Sequence, residues 1–224
     1  MSGRVSRRGA ILIIIGVLAG AAYSSFVLDW VLRGFEGMSE VVSQLAAPGA
    51  PHATLSRMMD LLCAALVLVL LPYVGAAMPP RPMRTVVLIS TLLFAVGAAA
   101  AAVVTAPCSE GTVCDSAADR SQSVLHNALS TASDVGLYIG MAAAWAATRR
   151  TGPGWFHRCA WWLFWGSGLV AGALMGLSVV ADWPEWALAT SQRLHIAGMS
   201  AWLVCLGMFA SVQPDRASRA GGSP

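Results

Sequence analysis

The chain has 224 residues, 57% of them hydrophobic and 11% charged, with a mean hydropathy of +0.66 and a formal net charge of +3. That composition lies outside the soluble globular range and inside the membrane range. All 14 basic residues are arginine and no basic patch is interleaved with aromatics for stacking, which excludes nucleic acid as a partner and leaves the charge to report topology.

Apolar runs near the ~20 residues that cross a bilayer recur at 10–28, 55–78, 86–106, 123–147, 160–181 and 194–212. Ten arginines (Arg4, Arg7, Arg8, Arg81, Arg84, Arg149, Arg150, Arg158, Arg216 and Arg219) fall on one set of ends. By the positive-inside rule these ends, with both termini, are cytoplasmic. The expected architecture is therefore all-α: an integral membrane six-helix bundle over 10–213 in the plasma membrane. A cytoplasmic N-terminus (1–9) precedes it and a disordered cytoplasmic tail (214–224) follows.

The first run has an Arg-rich start and a small-residue stretch, Ala19-Gly20-Ala21-Ala22, that resembles a cleavage site. Its apolar part is longer than a usual signal core, so an uncleaved helix is expected, ending at the interfacial pair Asp29-Trp30. In the polar segment that follows, Phe35, Met38, Val42 and Leu45 fall near helical spacing. A short helix lying in the membrane interface is expected there, either capping a cavity or simply covering the surface.

The second run opens with Arg57-Met58-Met59-Asp60, where Asp60 either pairs with Arg57 one turn back or points into the protein. The third is nearly featureless and reads as packing. The outer loop after it holds Cys108 and Cys114, and a disulfide is expected because outer-face thiols meet an oxidising compartment.

The fourth run carries His126, Ser130 and Asp134 at steps of four. At about 100° per residue, each group lies one turn below the last on one face. A carboxylate at membrane depth is costly and faces a bundle interior or a watery cavity, either as a tie between helices or as a working acid. In the fifth run Gly168, Gly172 and Gly176 form a small-xxx-small ridge, expected to pack against another helix. The last opens with Gln192-Arg193-Leu194-His195, which puts Arg193 and His195 among the candidate substrate contacts. Of the nine tryptophans, interfacial belts absorb at least five, and Trp145, Trp165 and Trp202 are left as candidates to line a pocket.

With this orientation the second, fourth and sixth runs all begin at the outer face. If those helices are neighbours, Asp60, His126 and His195 lie at similar depth, with Ser130 and Asp134 leading inward. An acid shielded from water can donate a proton, and an adjacent histidine (His126 on this reading) can reload it. Protonation of a lipid-soluble alkene or epoxide makes a carbocation that aromatic faces can steady. The catalytic candidates are thus Asp134, Asp60 and His126, with Ser130 as a substrate contact. A lipid hydrolase using Ser130 and His126 is an alternative without an elbow or oxyanion signature. A non-enzymatic binding or assembly protein is another. The bilayer and a lipophilic small molecule are the expected partners, and the scattered histidines and cysteines imply no metal or other cofactor.

Ser39-Glu40 with Ala47-Pro48-Gly49-Ala50-Pro51, Met59-Asp60, the acidic Cys108/Cys114 loop, His126, and Gln192-Arg193-Leu194 with Trp202 together carry a resemblance. The chain resembles the six-span bacterial membrane proteins catalogued as domain of unknown function 998. That resemblance implies the six-helix fold and little about activity. In size and general layout the chain is also similar to small integral-membrane terpene cyclases. It lacks the Asp-rich diphosphate-binding boxes of prenyltransferases, so a metal-dependent prenyl transferase is not expected, and a proton-initiated cyclase stays open.

Overall fold

The computed structural model describes residues 6–80, 82–109, 112 and 114–212, and all regular structure among them is helical. The expected tail at 214–224 and positions 1–5 lie outside the described residues. The elements are α1 (Arg7–Tyr23), α2 (Ser25–Leu32), a 3-10 turn (Val42–Ala46), α3 (Ala53–Ala77), α4 (Met83–Val103), α5 (Ala117–Thr148), α6 (Gly154–Leu163), a π-helical segment (Phe164–Val170), α7 (Ala171–Val180) and α8 (Glu185–Ser211).

Every apolar run of the sequence falls on helix. Among the described residues, four helices are long and apolar enough to cross a membrane: α3, α4, the continuous rod Gly154–Val180, and α8. The pair α1 and α2, bent by 55°, makes a fifth if counted as one span. The chain is accordingly a helical membrane protein. The longest helix, α5 at 32 residues, is not apolar enough to count with them, because Asp119, Arg120 and His126 lie in its first half and Asp134 near its middle. That helix begins well before the apolar run. Ser116 Oγ accepts from Asp119 N while the Asp119 carboxylate accepts from Ser116 N, a reciprocal cap that starts the helix in a polar stretch.

α8 is the axis of the bundle, with 61% of its apolar window buried, whereas the rod Gly154–Val180 is peripheral at 11%. α1 packs on α8 where Gly16 faces Gly207, and an added Cβ on Gly16 would stand 2.9 Å from Gly207 Cα. One turn on, a Cβ on Gly20 would be 2.7 Å from Ser200 O. Backbones this close need glycine. α4 and α5 meet similarly through Gly97, opposite Ser133, whose hydroxyl donates to Phe94 O at 2.9 Å. The ridge expected to pack, Gly168, Gly172 and Gly176, does not pack helix on helix. Gly168 admits the Tyr138 ring, and Cβ atoms at Gly172 or Gly176 would meet nothing within 4 Å.

The arginine-rich half is a dry core. Phe156 stacks on Phe209 and on Trp202, whose ring is fully buried. In the other half α5 stays against α4 but makes no extended contact with α3 or α8. The space left between them is a cavity.

Candidate functional site

The cavity, about 500 Å³, is walled by Ser56 and Asp60 of α3, by His126, Ser130 and Asp134 of α5, and by Gln192 and His195 of α8. Tyr23 and the 3-10 turn Val42–Ala46 complete it. The polar groups expected to converge from the second, fourth and sixth runs do line one chamber. A second cavity of about 410 Å³ adjoins it, bounded by Tyr138 and Ile139 of α5, by Phe164, Gly168, Leu169 and Gly172 of the peripheral rod, and by Met175 of α7. Thr131, Asp134, Met175 and His195 belong to both walls. A polar chamber and an apolar groove therefore meet at Asp134 and His195.

At that junction Asp134 Oδ1 accepts from Tyr23 OH at 3.3 Å, and Oδ2 lies 3.3 Å from His195 Nε2. The latter contact has ion-pair distance but lies off the axis of a good hydrogen bond. His195 Nδ1 is 2.9 Å from Ser167 O, within the π-helical segment. A carbonyl only accepts, so Nδ1 carries a hydrogen and the tautomer is set. Nε2 of the neutral ring then presents a lone pair to the carboxyl group. Two lone pairs would repel, so the contact is favourable when a proton resides on Asp134 or on Nε2. Tyr138 OH donates to His195 O at 3.2 Å and lies 3.2 Å from Ser167 Oγ, tying α5, the π segment and α8 at one point. A π-helical turn is rare, and such turns are frequent at functional sites.

The histidine in contact with Asp134 is His195, which corrects the expected partner His126. Eight residues separate His126 from Asp134, roughly 12 Å of helix rise. Its Nδ1 lies 2.7 Å from Val104 O, fastening α5 to the end of α4, and its buried Nε2 has no hydrogen-bond partner among the described residues. No hydrogen bond among the described residues joins Ser130 to His126, so the pair expected for a hydrolase is not assembled. Asp60 does not pair with Arg57 either. Arg57 Nε donates to Ala46 O at 2.8 Å, leaving the Asp60 carboxyl on the chamber wall.

None of the three tryptophans lines either cavity. Trp202 is fully buried in the aromatic core; Trp145 stacks on Trp161 under Arg149; Trp165 meets Trp161 edge-on and is 43% exposed. The aromatics at the site are Tyr23, Tyr138 and Phe164 instead. Tyr138 was legible in principle, being the next step of four after Asp134.

Arg193 also stands away from both cavities. Its guanidinium donates to Gly37 O at 3.2 Å and lies 5.9 Å from the Phe26 ring, which holds the first loop to α8. In the same layer Asp29, only 5% exposed, receives His52 Nδ1 at 2.8 Å, and Arg33 forms a bidentate pair with Glu40. That bond holds the Arg33 guanidinium above its ordinary range. Val42 N donates to Gln192 Oε1 at 2.7 Å. These bonds fix the loop as a cover over the chamber. The helix expected in it is reduced to the turn Val42–Ala46, because Gly34, Phe35 and Gly37 have φ of 65°, 72° and 76°, incompatible with a right-handed helix. Cys108 and Cys114 are joined by a disulfide at this end of the molecule.

No curated protein and no solved structure matches the chain. The family described as Protein of unknown function (DUF998) matches residues 14–208, a range that contains both cavities and every residue of the junction. The chain belongs to the DUF998 family.

Proposed function

We propose that the protein is an intramembrane enzyme that starts the cyclisation of an isoprenoid-type lipid by protonating it from Asp134. The observation that carries the reading is the Asp134–His195 contact, placed where a polar chamber meets an apolar groove. In the reaction the Asp134 proton adds to an alkene carbon or to an epoxide oxygen. The resulting carbon cation is attacked by the π electrons of a second double bond, which closes a ring. A neighbouring carbon then loses a proton to the Asp134 carboxylate, directly or through His195 Nε2, and the site is restored with no net change in oxidation state. Tyr23, Tyr138 and Phe164 supply the aromatic faces that steady the cation. The apolar groove keeps water from intercepting it.

In the same reading the chain crosses the plasma membrane six times. α5 is the sixth crossing, its polar face turned to the chamber rather than to lipid. The arginine-rich ends are cytoplasmic.

The test supplies membranes containing the protein with prenylated indoles, quinols and epoxides and detects products by mass. Wild-type protein forms a cyclised isomer, and Asp134→Asn forms none while reaching the same level in the membrane. Equal turnover by the two proteins would refute the proposal. Loss of activity in Ser130→Ala with Asp134→Asn unaffected would point to the hydrolase instead.

A further inference from the structure

We propose that the chamber and the groove together bind one amphipathic lipid, with a single apolar chain in the groove and a non-anionic head bearing hydroxyl or amine groups in the chamber. This deepens the reading of Asp134 and His195 as the reacting pair and rests on it for the claim that the bound lipid is the substrate.

The groove is shaped for a chain. Its volume falls within the roughly 300–1,000 Å³ of pockets that enclose small ligands. Val135, Ile139 and Leu169 on its rim are 51%, 49% and 45% exposed, at mid-helix positions that face lipid in the proposed six-span placement. A chain can therefore enter sideways from the bilayer. Gly172 forms part of the wall, and the space where its side chain would stand is open. Between α5 and the rod the groove is the gap that helix packing leaves unfilled.

The chamber is shaped for a head, and its charge limits which one. Its walls carry the carboxyls of Asp60 and Asp134 and the hydroxyls or amides of Ser56, Asn127, Ser130 and Gln192, but no arginine. The arginines closest in sequence lie off its wall: Arg57 Nε donates to Ala46 O, and Arg193 reaches Gly37 O through Nη2. A phosphate would meet two carboxyls with no guanidinium on the wall to pair with. A head with hydroxyl or amine donors finds acceptors instead. His126, only 6% exposed and held through Nδ1 by Val104 O, leaves its Nε2 unpartnered among the described residues, a further acceptor on that wall.

The test uses three photoreactive probes that share one long alkyl chain and end in an alcohol, an amine or a phosphate. Each is offered to the full-length protein in nanodiscs, and covalent labels are mapped by peptide mass spectrometry. The alcohol and amine probes are expected to label α5 and the rod around Val135, Ile139 and Leu169, and the phosphate probe roughly a tenth as much or less. Gly172→Leu fills the groove and lowers labelling about tenfold at an unchanged melting temperature. Equal labelling by all three probes would overturn the proposal, as would labels spread evenly over the lipid-facing sides of α3 and α4. The comparison of head groups needs no variant, so a failure of Gly172→Leu to fold leaves it intact. Labelling does not require turnover. A protein that labels as expected but forms no product refutes only the cyclase reading, and one that cyclises but labels evenly refutes only this one.

Discussion

The tautomer of His195 organises the site. Because Ser167 O takes the Nδ1 hydrogen, the ring can face Asp134 only with Nε2. His195→Ala should slow turnover by roughly 10²–10⁴-fold, the usual contribution of a positioned acid–base group, with little change in KM. Tyr23→Phe removes one hydrogen bond from Asp134 Oδ1, an effect of about 1 kcal/mol, so roughly a fivefold slower reaction is expected. Steady-state kinetics on the same product would check both. Part of this was legible in the sequence. His126, Ser130, Asp134 and Tyr138 follow one another at steps of four, so the face could be read from spacing alone. That His195 rather than His126 touches the acid could not be, since it depends on how α8 lies relative to α5.

Glycine gives the clearest contrast at the level of elements. A period of four marks a ridge of small residues on a helix but does not say what faces it. In α1 the ridge Gly16 and Gly20 meets α8, while in the peripheral rod Gly172 and Gly176 face open space. Gly207→Leu should therefore destabilise the bundle by about 1–3 kcal/mol, read as a lower melting temperature in detergent, whereas Gly172→Leu should leave melting unchanged. If Gly172→Leu melts as low as Gly207→Leu, the groove is not the open space described. The covering loop was misread for a related reason. Its apolar residues have helical spacing, but the positive φ at Gly34, Phe35 and Gly37 ends any helix before it starts. The Cys108–Cys114 bond closes a short loop with a sequence separation of 6, so its reduction should cost about 2 kcal/mol and lower the melting temperature without abolishing folding.

Composition alone made the all-helical membrane class legible for the whole molecule, because runs of ~20 apolar residues have few other uses. What it could not convey is that the bundle is uneven: the arginine-rich half is filled by Phe156, Trp202 and Phe209, and the disulfide-bearing half is left open where α5 stands away from α3 and α8. The tryptophans could not be assigned from their number, since the packed half takes Trp202 and the cluster around Trp161 takes Trp145 and Trp165. The open half places an acid and a histidine where the polar chamber meets the apolar groove. That Asp134 delivers its proton to the substrate is the central claim, and with an alkene substrate heavy water tests it most directly. Membranes are incubated in D₂O with prenylated alkenes, and the products are weighed and their deuterium located. The account requires one non-exchangeable deuterium at the protonated carbon with wild-type protein and no product with Asp134→Asn; a cyclised product lacking deuterium, or one formed equally well by Asp134→Asn, would contradict it.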